Sequence, residues 1–405
     1  MEQTWRWFGP ADKVTLNDAR QAGAEGIVTA LHQLPQGEVW PIDLIRERQA
    51  QVEAAGLRWS VVESLDVSER IKTRAPGFQD DIEAFKQSLR NLGVCGLRTV
   101  AYNLMPVFSW MRTDLEYPVA NGGSAVAFDA TAFAAFDLYI LARPNAEADW
   151  PEDRCRAAHA YLQTLSQSEK DALQSTILQG LPGGNGAFTL AQVRAALEAY
   201  KDIDENAFRQ IAGDFLRAVA PTAEEAGIRL CIHPDDPPRP LLGLPRIVST
   251  EADLAYLLAQ YPSPANALTF CTGALGVRPD NNLQAMVERF APNIGFAHLR
   301  STQREPDAFT QDSPKANAQT ESFFEAEHLA GDTDLIAIVG ALVQEERRRQ
   351  SSGDPHPIPF RPDHGQQLLN DHERHAQAGY PAIGRLRGLA ELRGVILTTQ
   401  RLQPA

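Results

Sequence analysis

The chain has 405 residues, 43% of them hydrophobic and 22% charged, with 52 acidic side chains against 38 basic ones and a formal net charge of −14. This is the composition of a globular protein with a large core, long enough for one big α/β domain or two ordinary ones, and its acidity disfavours nucleic acid as a partner. There is no uninterrupted apolar run long enough to span a bilayer and no apolar leader segment, and Cys95, Cys155, Cys231 and Cys271 are too widely spaced for a disulfide framework. No membrane association and a reducing cytoplasm are therefore expected.

In chain order, short β-like runs alternate with helix-like ones. Thr4–Phe8 reads as a strand stopped at Gly9-Pro10, and Leu16–Ala22 as a helix. Gly26–Leu31 is the next strand, ending at His32, followed by an amphipathic helix over Asp43–Ala55 that Gly56 stops. Leu57–Val62 leads to Glu63; Asp80–Leu92 is helical; Gly96–Tyr102 leads to Asn103. From Met105 to about Pro221 the alternation breaks, and a large insertion of loops and helices with no core strand is expected at 105–221. Within it the Gly-rich run Leu181–Gly186 lacks the Lys-Ser/Thr of a phosphate loop and reads as a turn.

Phe208–Ala226 reads as a long helix with a kink at Pro221, after which the rhythm resumes. Ile228–Ile232 ends at His233, Leu268–Phe270 at Cys271, Ile294–Ala297 at His298, and Ile358–Phe360 at Arg361-Pro362-Asp363. Pro362 removes a backbone donor and biases Arg361 to an extended conformation, so the last strand should stop there. Gly365 is expected to permit a sharp turn into a helix over Gln366–Asn370.

Eight strand-then-helix repeats imply a parallel sheet, and the lack of a Gly-x-Gly-x-x-Gly after the first strand favours a closed (β/α)8 barrel over an open doubly wound sheet. In such a barrel the side chains just past the strand C-termini converge on one face. Here they are Trp7, His32, Glu63, Asn103, His233, Cys271, His298 and Asp363. A lone His or Cys at a strand end is ordinarily a core or turn residue. Four in succession are harder to dismiss: His233, Cys271, His298 and Asp363 supply two imidazoles, a thiolate and a carboxylate, a competent ligand set for a divalent transition metal. Their spacing is unlike that of a small structural zinc cluster.

Several stretches then resemble the mannonate dehydratase family: Met1–Pro10, Gly37–Trp40, Trp59–Ser64, Arg112–Tyr117, Phe270–Gly273, Arg361–Gly365 and Gly379–Arg385. The resemblance covers essentially the whole chain. It implies a single barrel domain over residues 1–405, xylose-isomerase-like. It also implies dehydration of D-mannonate to 2-dehydro-3-deoxy-D-gluconate in hexuronate breakdown, with Mn²⁺ or Fe²⁺ on His233, Cys271, His298 and Asp363. His364 and Tyr380 fall on the positions implicated in proton transfer, without the sequence settling which is base and which acid.

The chemistry of the residues agrees with this. Loss of water from a 2,3-dihydroxy acid needs a cation to meet the charge that develops beside the carboxylate, one group to take the C2 proton and another to protonate the departing hydroxide. Arg300, two residues past His298, has the fork geometry for the substrate carboxylate, with a surface salt bridge as its alternative. His32, Asn103 and Trp7 are candidates for contacts to sugar hydroxyls. A thiolate ligand suits iron better than manganese and implies oxygen sensitivity. Ser301–Asp332, long and polar, is a candidate lid. A homo-oligomer is expected. The competing readings are a metal-dependent sugar isomerase on the same barrel and a non-catalytic sugar-acid binding protein.

Overall fold

The computed structural model describes residues 1–179, 188–305 and 322–402. Its strands, in chain order, are β1 (Glu2–Arg6), β2 (Gly26–Thr29), β3 (Arg58–Glu63), β4 (Thr99–Tyr102), β5 (Asp114–Pro118), β6 (Ser124–Phe128), β7 (Arg229–Ile232), β8 (Asn266–Cys271), β9 (Ile294–His298), β10 (Thr302–Glu305), β11 (Ser322–Glu325) and β12 (Pro359–Arg361). Eight of them close a parallel barrel in the order β1-β12-β9-β8-β7-β4-β3-β2, so the expected (β/α)8 architecture is found. Closure is by Gln3 opposite Phe360 on one side of β1 and Trp5 opposite Ile27 on the other.

Side chains alternate across each strand, one inward and the next toward the helices. Val28, Val61, Ala101, Cys231, Ala267 and Phe296 form a small inner cluster. Their neighbours Ile27, Val62, Val100, Leu230, Leu268 and Ala297 belong to the larger core between barrel and helices. The helix Glu205–Glu225 shows how that outer layer is made. Asp204 caps it by accepting from the Ala207 amide at 2.7 Å, and Phe208, Ile211, Phe215, Leu216 and Val219 lie on its buried face. No described helix is long and apolar enough to cross a membrane.

Two expectations need correction. The stretch 105–221 is not built of loops and helices alone. It contributes the hairpin β5–β6, which joins β10 and β11 in a four-stranded antiparallel sheet of order β10-β11-β6-β5. Phe323 pairs with Phe128 across β11 and β6, their rings stacked at 5.7 Å. The hairpin strands are short, and β6 finds its second partner, β11, beyond β9, so local periodicity carries little sign of the sheet. Second, Gln366–Asn370 forms no helix. Gln367 instead exchanges backbone hydrogen bonds with Ser124, donating at 2.7 Å and accepting at 3.2 Å. Leu181–Gly186 lies outside the described residues, as does the central part of the candidate lid, 306–321.

Candidate active site

The strand ends of β7, β8, β9 and β12 bring their chemistry together. One ligand atom each from His233, Cys271 and His298 lies within 4.8 Å of the others. His233 Nε2 and His298 Nδ1 are 3.1 Å apart. Asp363 adds a carboxylate, with Oδ2 3.7 Å from Cys271 Sγ and Oδ1 3.8 Å from His298 Nδ1.

The orientation of both rings suits a cation. His233 donates Nδ1–H to the Pro234 carbonyl at 2.7 Å, which leaves the Nε2 lone pair pointing inward. His298 Nε2 lies 3.1 Å from Arg361 Nε, from which it accepts, and 3.3 Å from Glu63 Oε1, while its Nδ1 faces His233. Anchoring the far ring nitrogen on a carbonyl or carboxylate is how metal-binding histidines are held. Two imidazole nitrogens that face one another beside a thiol and a carboxylate make a donor set that fits a divalent ion.

The turn after β12 is made differently from expectation. Positive φ falls on Asp363 (57°) and not on Gly365. Gly365 is required for closeness instead: a Cβ there would lie 2.7 Å from the Arg385 nitrogen and the Gly384 carbonyl carbon of the C-terminal helix Ala382–Leu402. Gly273 serves Arg300 in the same way, since its Cβ would be 2.3 Å from Arg300 Nε.

Around this cluster runs a buried network of charge. Arg300 is 2% exposed, which rules out the surface salt bridge. Its guanidinium binds Asp236 Oδ2 at 2.5 Å, lies 2.7 Å from Asp363 Oδ2 and pairs with Glu325. Arg112 binds Asp236 Oδ1 at 2.7 Å and Glu325 Oε1 at 2.8 Å. Arg361 joins Asp363 to Glu63, reaching Glu63 Oε1 at 3.1 Å. Burial pushes the Glu325 carboxyl up, but Arg300, His364 and Arg112 more than reverse this and hold it at about 2. Asp236 and Asp363 are likewise raised by burial and brought back well below the ordinary range by the arginines around them.

His364 and Tyr380 sit beside the cluster as a pair. Tyr380 Oη is 3.2 Å from His364 Nε2, and the two rings meet edge to face at 4.9 Å. Burial pushes the Tyr380 hydroxyl up to about 12, so it stays protonated at neutral pH. Both residues line a cleft of about 530 Å³, together with His233, Asp363, Arg361, Glu63, Trp110 and Asn103. A second cleft of about 1260 Å³ adjoins it and is lined by His32, Asn103, Ser64 and Arg6.

The remaining substrate candidates separate here. His32 and Asn103 are on cleft walls; Trp7 and Arg300 are not. Trp7 is 5% exposed and packs in the outer core under the Arg48 guanidinium, 5.3 Å from its ring. The physical reason is alternation: in Trp5-Arg6-Trp7 the tryptophans share one side and Arg6 takes the mouth. Arg6 borders both clefts and lies 3.4 Å from His32 Nε2, a residue that the same alternation could have found. Asp236 was missed too, although two acids directly after the His233 strand end are a visible signal. Glu325 carries no such signal, because its place depends on the accessory sheet; Arg112 opens one of the family-like stretches, but nothing local names its partners.

Residues 1–404 match the family model described as D-mannonate dehydratase (UxuA). The chain belongs to the D-mannonate dehydratase family. A mannonate dehydratase of Chromohalobacter salexigens is 54% identical over 402 residues, covering 99% of this chain and 100% of that protein. One from a Marinomonas species is 50% identical over 397 residues, 98% of each chain. The crystal structure of mannonate dehydratase from Streptococcus suis superposes with a TM-score of 0.75 at 31% identity, over 100% of this chain and 96% of that one. A xylose isomerase-like TIM barrel protein from Mycobacterium smegmatis shares the fold at a TM-score of 0.51 and 13% identity, covering 98% and 97% of the two chains. The resemblance drawn from the sequence motifs thus holds, and the family's reaction class is that of a metal-dependent hydro-lyase acting on a sugar acid.

Proposed function

We propose that this chain converts D-mannonate to 2-dehydro-3-deoxy-D-gluconate and water in cytoplasmic hexuronate breakdown, with Fe²⁺ or Mn²⁺ held by His233, Cys271, His298 and Asp363. The observation that carries the reading is the meeting of the His233–Cys271–His298 donors and the His364–Tyr380 pair at one barrel mouth. When bound, the cation stabilises the negative charge that develops at the sugar-acid carboxylate as the C2 proton leaves.

The protein's own groups move the protons. His364 Nε2 takes the proton from C2. Tyr380, whose hydroxyl is protonated at neutral pH and is raised further by burial, gives its proton to the hydroxyl leaving C3. The C2–H bond electrons form the new double bond, the C3–O bond electrons leave with the water, and the enol product tautomerises to the keto acid. Arg361 and Arg300 hold the Asp363 carboxylate in place, and His32 and Asn103 face the hydroxyls of the sugar chain.

The test is a keto-acid assay on anaerobically purified protein given Fe²⁺, Mn²⁺ or neither, with D-mannonate as substrate. Keto acid should form with either ion and cease on chelation. Release of an isomeric sugar acid without keto acid would establish the isomerase reading instead, and saturable binding without turnover the non-catalytic one.

A further inference from the structure

We infer that Glu325, delivered by the accessory antiparallel sheet, is a positioning residue that fixes the orientation and tautomer of His364. The inference rests on the reading of His364 as the proton-transfer base and adds a group that lies outside the barrel. Glu325 is the last residue of β11, which is pinned on both sides: Glu325 pairs with Thr302 of β10, and Phe323 with Phe128 of β6. Its side chain is 2% exposed and its Oε1 lies 3.1 Å from His364 Nδ1.

A carboxylate oxygen can only accept, so this contact is attractive when Nδ1 carries the hydrogen. Nε2 is then the basic nitrogen, and it is the one that faces the Tyr380 hydroxyl at 3.2 Å. Arg300 Nη1 also lies 3.0 Å from Nδ1 and can only donate, so it competes for the opposite tautomer; the charged Glu325 carboxylate, which pairs with the same Nη1, is the stronger acceptor for its hydrogens. The opposite tautomer would set the Nδ1 lone pair against the carboxylate lone pairs. Trp110 closes the other side of the ring, edge to face at 6.0 Å. Arg112 and Arg300 offset the charge of Glu325, so the carboxylate orients the ring without competing for its proton. A buried carboxylate that orients a catalytic imidazole in this way acts through tautomer choice rather than by taking the proton itself.

Glu325→Gln tests this, because the amide keeps the shape and can donate to Nδ1, favouring the wrong tautomer. We expect kcat to fall about 100-fold with KM changed less than about 3-fold, and metal content retained. The second readout needs no turnover. In ¹⁵N-histidine spectra of the Zn²⁺-loaded protein, the His364 signals, assigned by their loss in His364→Asn, should show the Nδ1–H pattern in the wild type and the Nε2–H pattern in Glu325→Gln. An Nε2–H pattern in the wild type overturns the inference even if the variant fails to fold, and so does an unchanged kcat in Glu325→Gln. Full turnover in His364→Asn would instead remove the proton-transfer reading, while the Glu325–His364 tautomer could still be read from the wild-type spectrum.

Discussion

The two halves of the barrel mouth are built on opposite plans. On the side of β7, β8, β9 and β12 the polar groups are spent on one another: Arg300 and Arg361 each hold two or more carboxylates, and Arg112 ties Asp236 to Glu325. On the side of β1 to β4 lies the wider cleft of about 1260 Å³, where His32 borders open space and is kept neutral. Burial and the nearby Arg6 and Arg48 push its pKa down to about 3. The difference separates two tasks. Charge that is paired in advance needs no rearrangement when a reaction develops charge beside it, which suits the bond-breaking end. A neutral imidazole and the Asn103 amide facing a cleft suit a polyol, whose hydroxyls both give and take hydrogen bonds.

Substitutions on the two sides should accordingly fail in different ways. The largest effect is expected for His364→Asn, which should lower kcat by about 10³-fold or more while metal content stays near wild type, measured by steady-state assay and elemental analysis. Retained turnover would move base chemistry away from the charged half. Asp363→Asn, next, should lower affinity for the divalent ion by at least about 10–100-fold in a metal titration, since it removes the one carboxylate of the donor set. On the open side, His32→Leu should raise KM about 10-fold with kcat nearly unchanged, the value of one hydrogen bond of about 1.4 kcal/mol. A fall in kcat without a change in KM would show that the halves are not separate.

The smallest effect concerns pH and stability. The folded pKa of His32 lies near 3 against an ordinary 6.5, so its contribution is full above about pH 6.5 and is lost as pH falls toward 3. Glu325, near 2 against an ordinary 4.5, contributes fully above about pH 4.5 and loses this only as pH falls toward 2. The melting temperature should therefore begin to fall below pH 6.5 and fall more steeply below 4.5. In His32→Leu the first part of that decline should be shallower.

How much of this could be read from sequence follows from which forces are local. The barrel was legible because each βα unit announces itself: β-branched runs such as Trp59–Val62, then a periodic helix, then a glycine. The cluster proposed to hold the ion was legible because Cys271 and His298 are themselves the last residues of their strands, so counting to the strand end finds them. Arg300 was legible as a residue near the site, but its buried partners were not. Nothing local tells that Asp236, Glu325 and Asp363 will fill its guanidinium. Trp7 lies one position off the mouth, because side chains alternate along the chain and Arg6 takes the inward place. The accessory sheet was illegible for a stronger reason: β6 and β11 are joined by pairing across almost two hundred residues, and neither has a pattern that names the other.

The left-handed backbone at Asp363 deserves a last consequence. Among residues with a Cβ, Asp and Asn are several-fold enriched there, because a short polar side chain tolerates the crowding. Glutamate offers the same two oxygens to an ion but pays for them with an ill-fitting peptide and an extra methylene, so chelating power alone does not make it a substitute. The identity of this residue is selected twice over, by what it grips and by how the chain bends beneath it.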